Sequence, residues 1–325
     1  MPVVVERSPG ERDLVCGGFL GWDAIAALRK IGLDPAQLGA VAIGRLRLVS
    51  GRRIVEAALP RTAMGLSRRR LDATLLGMAE GAGATVLRGR TARALEGECV
   101  RLDDGSELGA EALFLATGKH ELRGIARETG KRPLSVGLRA AIPAPPGLKG
   151  AIELHLYNGG YAGLLVQEDG QANLCLSVAQ ARMAEGRDAF LAALTEEAPL
   201  LAARLDGRLP ALWESVAGVP YGWRARETAS GLFRIGDQAA VIASLAGDGI
   251  AVALASGAAA AHACLHDNDG APAYQRAFAA RARRPVALAE TLRHMAEAPV
   301  RRKLMLGLAG VPGLAKLAAR MTRVG

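Results

Sequence analysis

The sequence is poor in cysteine and in aromatic residues, and each shortage argues against a class of protein. Its four cysteines (Cys16, Cys99, Cys175 and Cys264) lie far apart and form no CxxC pair, so we expect neither a disulfide framework nor a zinc ribbon. Aromatic residues make up only 4% of the 325 residues, which disfavours stacking on nucleic-acid bases. These shortages predict a protein of the reducing cytoplasm that does not bind nucleic acid.

Long hydrophobic runs and a secretory signal are also lacking. The longest apolar stretch, residues 239–265, is interrupted by Asp248, and the next, residues 304–315, is too short to cross a bilayer. Only a few apolar residues precede the first charges, which is not the pattern of a signal peptide. His262 and His266 flank Cys264 without a further ligand, so we expect no metal site.

The positive charge of the chain is confined to one end. The formal net charge is +9, and residues 276–325 carry nine Arg and two Lys against two Glu, so the remainder is neutral. A neutral body argues against a module that binds nucleic acid. Leu and Met alternate with the basic residues of this helical tail. Three interpretations stay open: a peripheral contact with an anionic membrane surface, a contact with an acidic partner, or a solvated helix face.

Hydrophobic periodicity predicts an α/β protein with an antiparallel sheet in its middle part. Buried strands are predicted at residues 2–6, 112–115 and 233–235. The helices are predicted at residues 22–31, 68–81, 188–201 and 250–265, with a helical tail after them. The alternating strands of the sheet are predicted at residues 134–140, 152–156, 161–167 and 173–178.

One motif that such a protein needs is not found in the sequence. A dinucleotide-binding fold has a strand, a GxGxxG turn and a helix whose first amides hold the pyrophosphate. The nearest match, residues 81–84, follows a helix and precedes a strand, so we interpret it as a helix end and turn. By contrast, residues 2–6 end in Glu6, followed by Arg7, and are typical of the second strand of such a fold. In that layout the first strand, the glycine turn and the first helix would lie upstream of Met1.

A strand–loop–helix unit near residue 240 is the most informative motif. Asp237 follows a predicted strand, and glycines at 247 and 249 flank Asp248 before the helix that starts at Ile250. Glycines allow the backbone to approach a ligand closely, and the helix start offers free amides and a positive dipole end. An aspartate beside such a helix suits a ligand that has hydroxyl groups and a region that becomes negative.

This unit resembles the GD motif of the p-hydroxybenzoate-hydroxylase-like flavoproteins, especially their geranylgeranyl-reductase-like branch. The resemblance implies that Asp237 binds the ribityl chain of FAD and that residues 247–250 lie near the flavin ring. Residues 15–18 resemble the Cys-Gly-Gly loop of that branch, residues 67–72 a helix start at which an Arg approaches the cofactor, and residues 116–120 its ATG strand end. The sequence departs from the family at Leu14, where a Lys is usual, and at Ser244, where a Pro is usual.

The resemblance therefore implies a discontinuous FAD-binding domain at 1–122 and 231–275, an incomplete Rossmann-like unit without its first βα segment. It also implies a substrate domain at 123–230 and a basic helical tail at 276–325. The implied cofactor-binding residues are Glu6, Arg7, Cys16, Gly17, Gly18, Arg69, Gly118, Gly236, Asp237, Gly247, Asp248, Gly249 and Ile250. Tyr157, Tyr161, Trp213, Tyr221 and Trp223 are candidates for pocket lining or, more simply, for core packing.

The function that follows is an FAD-dependent oxidoreductase, a reductase or a monooxygenase, with NAD(P)H as a candidate electron donor. Its expected substrate is hydrophobic, of the isoprenoid or polyketide-derived kind. The alternative is a non-catalytic form of the fold that binds no FAD.

Overall fold

A computed structural model describes residues 1–266 and 270–324. It shows a mixed α/β protein with one large curled sheet, two parallel strand pairs and a small antiparallel sheet. Within the described residues the strands are β1 (Val3–Glu6), β2 (Phe19–Leu20), β3 (Val41–Ser50), β4 (Arg53–Gly65), β5 (Thr85–Arg88), β6 (Ala92–Glu96), β7 (Cys99–Leu102), β8 (Glu107–Gly109), β9 (Leu113–Leu115), β10 (Ser135–Pro143), β11 (Ala151–Tyr157), β12 (Gly160–Val166), β13 (Gln171–Ala179), β14 (Glu214–Val219) and β15 (Leu232–Arg234). The α-helices are α1 (Trp22–Lys30), α2 (Arg68–Gly81), α3 (Arg187–Glu197), α4 (Pro199–Arg204), α5 (Gly249–His266), α6 (Gly270–Glu297), α7 (Pro299–Ala309) and α8 (Leu314–Met321).

The large sheet has eight strands in the order β14-β10-β13-β12-β11-β3-β4-β2. Its middle is antiparallel as predicted, but β11 pairs with β3 in parallel, with Ala151 opposite Arg45. The sheet therefore contains strands from both sides of the domain boundary predicted at residue 122. The domain boundaries themselves stay predictions.

The two parallel pairs have the geometry of a dinucleotide-binding sheet. β1 pairs with β5, and β9 pairs with β15. In the described part of the chain, β1 and β9 each pair with one strand only. That a further βα unit precedes Met1 stays a prediction.

Helix α2 shows how local sequence sets an element boundary. The hydroxyl of Ser67 accepts a hydrogen bond from the Arg70 amide at 3.1 Å and so caps the helix start. The helix ends at Gly81, and Gly83 adopts a positive φ of 95° before β5 begins. The interpretation of residues 81–84 as a helix end and turn is confirmed.

The helix predicted at residues 188–201 is wrong as a single element. The chain forms α3 and α4 instead, separated at Ala198. Pro199 has no amide hydrogen and disfavours helical geometry at the residue before it, so Ala198 takes φ −123° and ψ 70°. The proline then starts α4, where its missing amide costs nothing.

Helix α5 is only 33% buried, and Leu265 near its end is 78% exposed. It packs against α1, α6 and the turn at residues 236–238. Within the described residues it is the one single helix that is long and apolar enough to cross a membrane, with a mean hydropathy of 1.4. Helices α7 and α8 reach that length and hydropathy only when taken together, and they are bent by 110° relative to each other.

Candidate functional site: a cavity at the start of α5

A cavity of about 700 Å³ lies between the large sheet, α5 and the C-terminal helices. This volume is in the range of small-molecule sites in proteins. Most of the lining is apolar. Its polar groups include those at the ends of β9 and β15, in the loop before α5, in residues 15–17 and at the start of α2, together with the hydroxyls of Tyr161 and Tyr221 and the C-terminal Thr322 and Arg323. The cavity therefore has a polar side beside α5 and an apolar remainder.

Asp237 and Lys119 meet on the polar side because β9 and β15 are adjacent parallel strands. The two residues follow the carboxyl ends of these strands, which lie at the same edge of a sheet. The Nζ atom of Lys119 lies 3.1 Å from a carboxylate oxygen of Asp237, and both side chains line the cavity. The charge of Asp237 raises the pKa of Lys119, so the lysine is cationic.

The first turn of α5 presents free backbone amides to the cavity. Gly249 and Ile250 line it, and in the described part of the chain the amides of residues 249–251 have no hydrogen-bond acceptor. A Cβ atom added at Gly249 would meet nothing within 4 Å. Gly247 adopts a φ of 67°, and a side chain there would collide with Phe19. The loop thus depends on glycine both for its backbone conformation and for the open space at the helix start.

Three hydroxyl groups form a connected network on the cavity wall. The Tyr161 hydroxyl lies 2.5 Å from Ser244 Oγ, which lies 2.9 Å from the Tyr221 hydroxyl. The Leu245 amide donates a hydrogen bond to the Tyr161 hydroxyl at 2.9 Å. Tyr161, Ser244 and Tyr221 all line the cavity. Burial raises the pKa of Tyr161 well above its usual range, so this group stays protonated at neutral pH.

Arg68 and Cys16 also line the cavity. The guanidinium of Arg68 donates to both carboxylate oxygens of Asp72, at 2.8 and 2.7 Å. Burial would lower the pKa of Arg68, but the nearby Cys16 and Asp72 outweigh it and raise that pKa. Cys175 also lines the cavity, and burial raises the pKa of its thiol to about 12, so it stays protonated.

Solved structures with the same architecture are flavoproteins. A geranylgeranyl bacteriochlorophyll reductase-like protein from Thermoplasma acidophilum superposes with a TM-score of 0.77 at 17% identity, covering 98% of this chain and 89% of that one. PqsL, a probable FAD-dependent monooxygenase from Pseudomonas aeruginosa, superposes with a TM-score of 0.67 at 19% identity, covering 94% and 92%. The flavin-dependent brominase Bmp2 has a TM-score of 0.73 at 15% identity, covering 98% and 86%. Neither a protein-family model nor a curated protein sequence matches the chain.

The fold is that of the p-hydroxybenzoate-hydroxylase-like FAD flavoproteins. Within this flavoprotein fold, the polar side of the cavity has the groups that a flavin needs. Asp237 can accept hydrogen bonds from sugar hydroxyls, and the free amides of α5 favour a negatively charged region. The open space at Gly249 and at Gly17 leaves room for a flat ring system. The residues present therefore fit the cofactor of the fold.

Eight of the thirteen cofactor-binding residues predicted from the sequence line this cavity of the flavoprotein fold. They are Cys16, Gly17, Gly118, Gly236, Asp237, Gly247, Gly249 and Ile250. The structure brings them together from three separated segments of the chain. Their role in binding FAD stays a prediction.

Asp248 is placed differently from its neighbours in the loop. Its carboxylate is fully buried and accepts hydrogen bonds from Arg323 Nη1 at 2.9 Å and from the Val324 amide at 2.8 Å. Burial raises the pKa of Asp248 to about 6, although the charge of Arg323 opposes this. Asp248 thus holds the C-terminal segment against the loop and does not line the cavity.

The remaining four predicted residues also lie away from the cavity lining. Gly18 packs against Leu66, and Arg69 is exposed with its guanidinium 3.8 Å from Asp169, so Arg68 is the arginine of its cluster that faces the cavity. A carboxylate oxygen of Glu6 accepts the Ser8 amide at 2.6 Å. The guanidinium of Arg7 lies 3.4 Å from the His120 ring, which places the end of β1 near the end of β9.

The aromatic candidates divide in the same way. Tyr161 and Tyr221 line the cavity and also belong to hydrophobic core clusters, whereas Tyr157 and Trp223 lie in such clusters without lining the cavity, and Trp213 packs against one of them. Lys119 was not predicted as a partner of Asp237. Its position a few residues after the end of β9, directly after Gly118, was the signal available, because such positions face the crevice at strand ends.

Proposed function

We propose that this protein is an FAD-dependent oxidoreductase that acts on a hydrophobic substrate, as a reductase or a monooxygenase. One observation carries the proposal: the cavity joins a polar side, made by Asp237 and the free amides of α5, to a large apolar remainder. A flavin and an apolar molecule can therefore occupy the same cavity side by side.

The roles of the polar groups follow from their chemistry. Asp237 would accept hydrogen bonds from the ribityl hydroxyls, and Lys119 would hold the Asp237 carboxylate in place. The α5 amides at 249–251 would stabilise negative charge, since a helix start carries about half a positive elementary charge. Arg68 adds a second positive group, and its bonds to Asp72 hold its guanidinium in orientation.

The apolar remainder supports a hydrophobic substrate. It is lined by Leu46, Leu48 and Leu154 from the large sheet and by Leu292, Met305 and Leu308 from the C-terminal helices. A polar substrate would lose its hydration there without gaining hydrogen bonds, whereas burial of an apolar chain is favourable. An isoprenoid or polyketide-derived molecule is the proposed substrate class.

Bound FAD would supply reversible hydride transfer, and the protein's own residues would supply the proton. Reduction of a carbon–carbon double bond adds one hydride and one proton. The hydroxyl network of Tyr161, Ser244 and Tyr221 is the protein's proton source on the cavity wall. Solvent protons could replenish it through successive hydroxyl groups.

The non-catalytic alternative is not favoured, because a form of the fold without a cofactor would not need an open cavity with a carboxylate and free amides on its wall. The structural neighbours include a reductase-like protein, a brominase and a probable monooxygenase. Each of these activities belongs to the neighbour and is not assigned to this protein.

The experiment that tests the proposed function measures electron flow. FAD-loaded protein is mixed with NADH or NADPH, without oxygen and then with it, in the presence of an apolar alkene or aromatic compound. A reductase saturates the double bond anaerobically, whereas a monooxygenase consumes oxygen and adds one oxygen atom to the substrate. Nicotinamide oxidation at the rate of free FAD under all conditions would contradict the proposal.

A further inference from the structure

The last two helices leave an apolar stripe uncovered. Val300, Leu304 and Leu308 follow one another at four-residue spacing on α7 and are exposed, with Leu304 at 59%. Val311 continues the stripe, and Leu314, Leu317 and Met321 extend it along α8, with Leu317 at 51%. Contiguous exposed apolar surface of this kind marks a contact with a partner or a membrane. We call these seven residues the apolar face of α7–α8.

Positive side chains flank this face on both helices. Arg301 and Lys303 are exposed on α7, and Lys316 and Arg320 are exposed on α8. From residue 298 to 325 the sequence contains no Asp or Glu. Two further basic residues of this segment, Arg302 and Arg323, have buried side chains that are bonded to protein groups. They therefore do not contribute to the exposed surface. The exposed surface of the helix pair is therefore apolar in its centre, and the charged residues at its sides are all positive.

The same face is continuous with the cavity. Leu308, Leu314, Leu317 and Met321 are exposed to solvent and also line the cavity wall. A molecule dissolved in a bilayer that touches α7–α8 would thus reach the cavity without crossing water. A nucleic acid or an acidic protein would use the cations but would gain nothing from the leucines between them.

We propose that the apolar face of α7–α8 docks on an anionic lipid bilayer, with Arg301, Lys303, Lys316 and Arg320 on the headgroups and the leucines at the acyl boundary. A helix with an apolar stripe and basic flanks binds membranes in this way. The docking itself is independent of the flavin. Entry of substrate from the bilayer into the cavity rests on the proposed function.

Sedimentation with lipid vesicles tests the docking. Vesicles of phosphatidylglycerol mixed with phosphatidylcholine should pellet the protein at low salt, and vesicles of phosphatidylcholine alone should not. The double variant Lys316→Glu/Arg320→Glu should weaken binding by at least about tenfold. The control Arg93→Glu/Lys131→Glu makes the same charge change at exposed residues outside the cavity and the helix pair, and it should bind like the parent. Equal loss in both double variants, or no binding of the parent, would overturn the proposal.

A fluorescence measurement separates insertion from charge attraction alone. Leu317→Trp should shift its emission to shorter wavelength on anionic vesicles and be quenched by brominated acyl chains. Leu212→Trp is the matched control, since Leu212 is 85% exposed beside β14, at the sheet edge far from β4 and the helices that pack on it. If the protein pellets with anionic vesicles but shows no shift at position 317, charge attraction alone holds it there, and the proposed contact of the leucines with the acyl boundary would fail. Neither readout uses flavin or turnover, so their failure is distinct from failure of the proposed function.

Discussion

At the scale of single residues, the hydroxyl of Tyr221 connects the cavity to Ser244 and from there to Tyr161. Ser244 occupies a position where the sequence resemblance leads one to expect a proline, and a proline could not join two tyrosine hydroxyls. The substitution thus gives this chain a polar connection on the cavity wall that a proline would not make.

Tyr221→Phe should lower the rate of substrate reduction by about 10²-fold, because a positioned proton donor contributes on this order. The affinity for FAD should stay unchanged, since Tyr221 is not among the residues assigned to the cofactor. Stopped-flow rates at saturating FAD and substrate measure the effect.

Tyr157→Phe is the matched control for that experiment. The Tyr157 hydroxyl donates only to backbone oxygens in the core, those of Tyr161 and Ser177, at 3.2 Å. Its loss should reduce stability by roughly 1 kcal/mol without changing the rate of the folded enzyme. Equal rates in both variants would contradict the role of the network.

At the scale of elements, the loop before α5 and the C-terminal segment hold each other in place. Asp248 bonds Arg323 and the Val324 amide, and the guanidinium of Arg323 also lies 4.3 Å from the centre of the Trp22 ring. Three distant parts of the chain therefore meet beside the cavity at one buried carboxylate.

The stability of this contact should depend on pH in a defined direction. Burial raises the pKa of Asp248 to about 6 from the ordinary 3.8, so between these values the folded state binds more protons than the unfolded state. The contribution of Asp248 to the free energy of unfolding is then greatest at low pH and should fall by on the order of 3 kcal/mol as the pH rises through this window.

Asp248→Asn should remove this fall. Urea titrations of the parent and the variant at several pH values between about 4 and 6.5 measure the free energy of unfolding, and that of the parent should fall relative to that of the variant, by on the order of 3 kcal/mol, as the pH rises from about 4 to about 6. A difference that is constant with pH, or one that grows in favour of the parent, would contradict the assignment.

The sequence predicted elements whose boundaries depend on nearby residues. Helix α2 was predicted at its observed limits, because Ser67 caps its start and glycines end it. The parallel pairing of β3 with β11 was not predicted, because its partners are about a hundred residues apart and no local pattern encodes that register. The inward turn of Asp248 was missed for the same reason, since Arg323 and Val324 lie far along the chain.

At the scale of the whole molecule, the proposed activity requires that the polar side of the cavity binds a flavin. Residues from the ends of β9 and β15, the start of α5 and the loop at residues 15–17 converge there. The same cavity extends to the helix pair α7–α8, so cofactor binding and access of a hydrophobic substrate would be properties of one continuous space.

The most direct measurement is a titration of the purified protein with FAD, followed by flavin fluorescence and visible absorbance. The parent should bind FAD with a shifted flavin spectrum. Asp237→Asn should weaken binding about 10- to 100-fold, the loss expected for hydrogen bonds to a charged group. Asp188→Asn, on the exposed surface of α3, should bind like the parent. A parent that leaves the flavin spectrum unchanged, or an Asp237→Asn variant that binds equally well, would contradict the account.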